Sequence, residues 1–435
     1  MKLRMSERQW TALRSELLIR QDVESAAILL GSHFGIDGPV AAVRHIEVVP
    51  DEAYRIRRVD QLSIDPVALN RMTKRARDEN LGIFTIHTHP GAHAAWFSAA
   101  DDAGDARLMP SLRNQVPGAP HGSLVLASSG AVVGRAFADD GSAREVELSI
   151  VGRTLEMPAA TTQPSEPWFA RQELALGREG QARLRRLRIG VIGLGGTGSV
   201  VAMQLAHLGV GGLVLIDGDV VEASNLSRIV GAARADVGAP KVEVAARYAR
   251  SLGFSEVVAA LPEPISAKHE PLLASCDILV SCVDKLTPRA FLNRLAYRHC
   301  VPLVDLGVAF RAGDDGRITG DAGRVVVVGP GRPCLACWGH LDPHRMREEN
   351  LSADDRKRDI AAGYLEGVDA PQPSVISFNT SVAGAAVIEI MRLATGFAGA
   401  DTPPTRLAFS FAEGTVRRNT IARAAKCQIC GDGSS

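Results

Sequence analysis

A short apolar run, Arg188–Ile192, leads into Gly193-Leu194-Gly195-Gly196-Thr197-Gly198. A helical stretch, Ser199–Leu208, and a second apolar run, Gly212–Ile216, come directly after. Strand, glycine turn, helix and strand within about 30 residues make a β-α-β unit. Such a unit demands a parallel sheet covered by helices, so the chain is α/β. Further strands expected at Ile278–Cys282 and Pro302–Leu306 extend the sheet. Glycines at Gly193, Gly195 and Gly198 let backbone approach a nucleotide and let the helix pack closely. Asp217, about 20 residues on, suits ribose hydroxyls. This much fits a nicotinamide enzyme equally well.

The stretch after the second strand is not dehydrogenase-like. It carries Asn225, Arg228 and Lys241, and each can hold phosphate. Asp284, in Ser281-Cys282-Val283-Asp284, ends the next strand and can carry Mg²⁺ against a triphosphate. From about Phe169 to Cys430 the chain closely resembles the ThiF/MoeB family, which shares its adenylation domain with the ubiquitin-activating enzymes. The resemblance implies a Rossmann-like domain in which ATP adenylates the C-terminal carboxylate of a ubiquitin-like protein. It implies that Gly193, Gly195 and Gly198 form the nucleotide loop and that Asp217 takes the ribose. Asn225, Arg228 and Lys241 would contact phosphates and Asp284 would position Mg²⁺. Arg171 matches the arginine that the family sends into its partner subunit's site, which implies a homodimer. Ile229 departs from the family's glutamine.

Cys334-x-x-Cys337 and Cys427-x-x-Cys430 form two knuckles able to close one structural zinc site. The family has such a pair at these positions. Cys276, Cys282 and Cys300 lie in or beside apolar runs and read as core residues. No cysteine lies between Cys337 and Cys427, where thioester- or persulfide-forming relatives usually carry their nucleophile. The acyl-adenylate is then expected to pass to a partner's nucleophile, a conjugating enzyme's cysteine, a sulfide donor or an amine, or to an unusual residue of this chain.

The N-terminal part carries a second chemistry. His87-Thr88-His89 follows an apolar strand, and alternation puts both imidazoles on one face. With Asp101 they supply three ligands and leave a fourth zinc position for water. Glu24 is the candidate general base. A Glu upstream, His-x-His-Pro and Ser-x-x-Asp together resemble the JAMM/MPN metalloisopeptidases over roughly residues 10–155. The resemblance implies that His87, His89 and Asp101 bind zinc, that Glu24 activates the water and that Ser98 helps stabilise the oxyanion. Two departures stand out. Eight residues separate His89 from Ser98 where seven are usual, and Ala27 occupies a position where glycine is common. His93 and Asp102 are nearby decoys.

Length suggests two or three domains, and the pattern resolves this into two. They are a JAMM/MPN domain over 1–155 and a ThiF-type domain with a zinc knuckle over 168–435. A linker over 156–167, EMPAATTQPSEP, joins them. The segment Leu341–Ile360 is densely charged and reads as an exposed loop or helix. Lys plus Arg and Asp plus Glu are both 49, so nucleic acid and anionic membranes are not expected partners. The seven cysteines are an odd and small number for this length, not a disulfide framework. The N-terminus has no apolar signal core and no run approaches 18 apolar residues, so a cytoplasmic location is expected.

A peptidase and an activating enzyme both act on the tail of a ubiquitin-like or sulfur-carrier protein. Fusions of this kind resemble bacterial ubiquitin-like modification or sulfur-transfer systems. A biosynthetic role, with the JAMM domain as maturation peptidase, is the alternative. A non-catalytic scaffold is disfavoured because every metal and phosphate position holds a competent residue.

Overall fold

The structure, a computed structural model, describes residues 1–34, 40–138, 140–157, 166–312, 318–361, 373–399 and 406–431. It divides into two compact units, Met1–Thr161 and Thr162–Ser435. The expected linker lies, from 158 to 165, outside the described residues.

The first unit runs β1 (Lys2–Ser6), α1 (Glu7–Leu17), β2 (Ala26–Phe34), β3 (Val40–Val48), β4 (Tyr54–Arg57), β5 (Leu62–Ile64) and α2 (Pro66–Glu79). It continues with β6 (Gly82–His89), α3 (Ala99–Gln115), β7 (His121–Ala127), β8 (Val132–Phe137), β9 (Ala143–Glu145), β10 (Glu147–Val151) and β11 (Leu155–Glu156). Among the described residues, nine strands form one sheet in the order β11-β10-β1-β3-β2-β6-β7-β8-β9, and β4-β5 is a separate hairpin. Helix α2 starts where its residues dictate: Asp65 accepts the Val67 N–H and Pro66 stands at the first position. One sheet face packs on α1 through Leu13, Leu17, Leu29 and Phe84. Ile28, Leu30 and Ile83 on the other face meet Met72, Met109 and Leu112 of α2 and α3. Strand β6 is thus buried on both faces, which explains the apolar Ile83, Phe84 and Ile86. It runs on through His89, so the two histidines end the strand rather than follow it.

The second unit runs α4 (Ala170–Arg186), β12 (Arg188–Ile192), α5 (Gly198–Leu208), β13 (Gly212–Ile216), α6 (Lys241–Leu252), β14 (Glu256–Leu261), α7 (Glu270–Ala274), β15 (Ile278–Ser281) and α8 (Leu286–Arg298). Then come β16 (Leu303–Ala312), β17 (Ile318–Val328), α9 (Pro343–Glu349), α10 (Ala353–Ala361), α11 (Ile376–Thr395), β18 (Arg406–Ser410) and β19 (Thr415–Asn419). The sheet order is β14-β13-β12-β15-β16-β17-β18-β19. Strands β14 to β16 are parallel along that order, and β17 to β19 add an antiparallel edge. Chain order reverses between β12 and β15, and the crevice at their C-terminal ends is where such sheets bind ligands. Helix α11 meets the length and apolarity of a membrane span. Its residues Val382, Ala386, Val387 and Ile390 are nevertheless buried.

Candidate functional site

In the first unit, β6 delivers His87 and His89 side by side, and the first turn of α3 delivers Asp101. The His87 and His89 Nε2 atoms are 3.2 Å apart. Asp101 Oδ1 lies 3.0 Å from His87 Nε2, and Oδ2 lies 3.4 Å from His89 Nε2. Zinc held tetrahedrally at about 2.0–2.1 Å spans about 3.3–3.4 Å between neighbouring donors. The two imidazoles and the Asp101 carboxylate, one oxygen facing each imidazole, converge at close to these separations, and they fit zinc.

Ser98 caps α3: its Oγ accepts the Asp101 N–H at 3.2 Å while Asp101 Oδ2 accepts the Ser98 N–H at 2.6 Å. The cap aims the Asp101 carboxylate. Burial works against the charged form of Asp101, but the His87 imidazole and Ser98 hold its carboxyl below the usual range. Burial, with the neighbouring His87, pushes the His89 imidazole down.

Glu24 Oε1 lies 3.9 Å from His89 Nε2. Burial raises its carboxyl to about 7, against the pull of His87. Sequence reasoning missed what fixes it. Arg57 Nε donates to the Glu24 carbonyl at 2.8 Å, and the Glu24 N–H donates to Arg58 O at 2.8 Å. Arg57 Nη2 also donates to Ser25 Oγ. The β4-β5 hairpin thus braces the residue from outside the main sheet. Trp96, half exposed, sets its ring edgewise on His89 with centroids 5.2 Å apart. Asp102 pairs with Arg135, and His93 is exposed.

In the second unit the cysteines Cys334, Cys337, Cys427 and Cys430 converge. Their Sγ separations are 3.8 Å (Cys334–Cys337), 3.6 Å (Cys334–Cys427) and 3.5 Å (Cys337–Cys430). Zinc–sulfur bonds of about 2.3 Å require about 3.8 Å between thiolates, so this cluster also fits zinc. Burial opposes the Cys427 thiolate, but backbone N–H groups of Cys430 and Ile429 pull its thiol down to about 6. Cys276 and Cys300 are buried, as expected. Cys282 is less fully buried than the other two. It lies one residue beyond β15, behind the glycine loop, where its Cβ is 3.2 Å from the position a Gly198 Cβ would take. Burial pushes its thiol up, away from the reactive thiolate.

The glycine loop joins β12 to α5 at the reversal point. Gly193 has φ +88° and could not carry a side chain without strain. A Cβ on Gly198 would lie 1.8 Å from the Gly193 carbonyl oxygen, whereas one on Gly195 would meet nothing within 4 Å. Gly195 is therefore the open rim of the cradle. A Cβ on Gly196 would meet Asn379 Nδ2 at 2.3 Å and Arg228 Cδ at 3.3 Å, so both side chains stand against the loop. Asn379, at the start of α11, has no signal in the sequence. Asp217 is buried, and its oxygens accept the Leu194 and Asp219 N–H groups at 2.5 and 2.8 Å. Lys241 pairs with Asp219 at 2.7 Å. Asn225 is buried, and Arg228 donates to the Ser224 carbonyl. Asp284 is exposed just past β15, on the same sheet edge, and Arg171 is exposed on the first turn of α4.

The ThiF family model matches residues 169–430, more than half of the chain. The chain belongs to the ThiF family. A second model, of prokaryotic homologues of the JAB domain, matches residues 6–140 of this ThiF-family chain. The chain is 37% identical over 168 residues to the SAMP-activating enzyme E1 of Haloferax volcanii, covering 37% of this chain and 57% of that protein. It is 36% identical to the molybdopterin-synthase adenylyltransferase of Escherichia coli K12 over 38% of this chain and 63% of that one. The adenylyltransferase and sulfurtransferase uba4 of Aspergillus fumigatus is 31% identical over 45% of this chain and 42% of its own. The match thus spans less than two thirds of each relative's length. A crystal structure of E. coli MccB with MccA-N7isoASN shares the fold, with TM-score 0.50 and 19% identity over 63% of this chain and 77% of that one.

Proposed function

We propose that this ThiF-family chain works twice on the C-terminus of a ubiquitin-like or sulfur-carrier protein. The first unit trims or deconjugates it by zinc-dependent hydrolysis, and the second adenylates its carboxylate with ATP. The names of the relatives, an activating enzyme and adenylyltransferases, support the adenylation half. The observation that carries it is the placement of the glycine loop, Asp217, Lys241 and Asp284 along one C-terminal sheet edge of a ThiF-family unit. The separations among His87, His89 and Asp101 carry the peptidase half.

In the first unit, zinc, when bound, would lower the pKa of a water and act as a Lewis acid toward a carbonyl. His87, His89 and Asp101 would hold the ion. Glu24, next to that position and braced by Arg57, takes the proton of the attacking water on Oε1 and returns it to the leaving amine. The Ser98 hydroxyl donates toward the oxyanion.

In the second unit, Asp217 accepts from the ATP ribose, while Asn225, Arg228 and Lys241 cradle the phosphates. Asp284 positions Mg²⁺. A carboxylate oxygen of the substrate bonds to the α-phosphorus, the bond to the β-phosphate breaks, and pyrophosphate leaves. A nucleophile from outside the 337–427 stretch accepts the acyl group: a conjugating enzyme's thiol, a sulfide donor or an amine. Arg171 reaches a second copy's site in a homodimer. The test is ATP–pyrophosphate exchange with ubiquitin-like and sulfur-carrier proteins, with Asp284→Ala as the inactive control. No exchange with any of them contradicts the reading.

A further inference from the structure

Helix α8 begins two residues after Asp284, and its start is poorly provided by local sequence. Lys285 stands at the cap position and its side chain makes no capping hydrogen bond. Lysine has only donors, so it cannot satisfy the free N–H groups of a first turn. Pro288 has no N–H of its own, which leaves Leu286 and Thr287 as the donors needing partners. Both find one 63 and 62 residues away. Glu349 Oε1 accepts the Leu286 N–H at 2.8 Å, and Oε2 accepts the Thr287 N–H at 2.8 Å. Asn350 Nδ2 adds a bond to Thr287 Oγ1 at 3.0 Å.

Glu349 is the last residue of α9, the end of a helix that disfavours a carboxylate. The same carboxylate sits on the favourable, N-terminal end of α8. On the other side of Asp284, Arg289 donates to the Val283 carbonyl and grips Asp305 with Nη1 at 2.8 and 2.7 Å. The step that carries Asp284 is therefore pinned at Val283 by Arg289 and at Leu286 by Glu349.

We infer that Glu349 is a positioning residue for Asp284: through the backbone of α8 it fixes where the Asp284 carboxylate meets Mg-nucleotide. Within the densely charged segment, Glu349 and Asn350 thus brace the start of α8. This role rests on Asp284 being the residue that holds Mg²⁺.

The test uses the full zinc-loaded chain and the non-hydrolysable nucleotide AMPCPP, titrated calorimetrically with and without Mg²⁺. Amide exchange across 283–289 is read in parallel. Asp284→Ala should lose the affinity that Mg²⁺ adds. Glu349→Ala should lose about tenfold of that gain, the scale of a lost carboxylate cap. It should bind Mg-free AMPCPP within about twofold of the parent and exchange Leu286 and Thr287 at least about tenfold faster. Glu349→Gln, which keeps shape and one acceptor oxygen, should fall between, and carries the comparison if the alanine variant does not fold. A merely structural brace would lower Tm and leave the Mg²⁺-dependent gain intact, which overturns the proposal. If Asp284→Ala itself keeps the full gain, the reading of Asp284 fails first and the proposal with it.

Discussion

The Nε2 atoms of His87 and His89 face each other at 3.2 Å. Two neutral imidazoles cannot both accept at that spacing, so the pair requires a proton or a cation between them. Asp101 comes within 3.0 and 3.4 Å of the same two atoms, and the geometry favours a shared metal ion.

Metal analysis of the purified chain should therefore return two equivalents of zinc. His87→Ala should remove one and leave the knuckle loaded. Cys334→Ser should remove the other and lower Tm sharply, because structural zinc contributes folding free energy directly. One equivalent in the parent chain would mean that one of the two donor sets does not bind zinc.

Ser98→Ala separates capping from chemistry. Losing the cap should cost about 1 kcal/mol of stability. It should also weaken zinc at the His87 site by about 10–100-fold, since the cap orients Asp101. Competition against a chromogenic chelator measures this. Unchanged zinc affinity would show that Asp101 is held without Ser98.

Arg57→Met should leave zinc content unchanged and slow peptide cleavage by about tenfold or more, because it frees the backbone of Glu24 rather than a ligand. A single-turnover rate on a C-terminally extended ubiquitin-like substrate reads the effect. A variant as fast as the parent would locate the support of Glu24 elsewhere.

The glycine loop offers an internal contrast. Gly195→Ala meets no protein atom within 4 Å, so Tm should hold while ATP affinity falls. Gly198→Ala drives a methyl to 1.8 Å from the Gly193 carbonyl and should lower stability by about 1–3 kcal/mol or more. Thermal melts with and without ATP distinguish the two. A Gly195→Ala that binds ATP normally would move the nucleotide off this loop.

Much of the fold is legible in the sequence because it is local. The bounds of β12 and β13 match their apolar runs, and the glycine loop sits where the strand–turn–helix pattern puts it. The antiparallel edge β17 to β19 is harder to read: β17 carries the buried run Val325–Val328, but its pairing to β18 joins Gly323 to Phe409 far along the chain, and β18 and β19 are only partly buried or exposed. The braces are equally invisible. Arg57, Asn379 and Glu349 act on Glu24, Gly196 and Leu286 across intervals that no spacing rule covers. Cys282 reads as a core residue because its neighbours are apolar, yet it packs behind the nucleotide loop.

If both units act on one C-terminus, hydrolysis in the first must precede adenylation in the second. Pyrophosphate exchange with a ubiquitin-like protein carrying a C-terminal extension reads that order. The parent chain should exchange with the extended form after a lag. Glu24→Ala should exchange only with the mature, trimmed form. Equal exchange by Glu24→Ala on both forms, or none by the parent chain on either, would contradict a C-terminus shared by the two units.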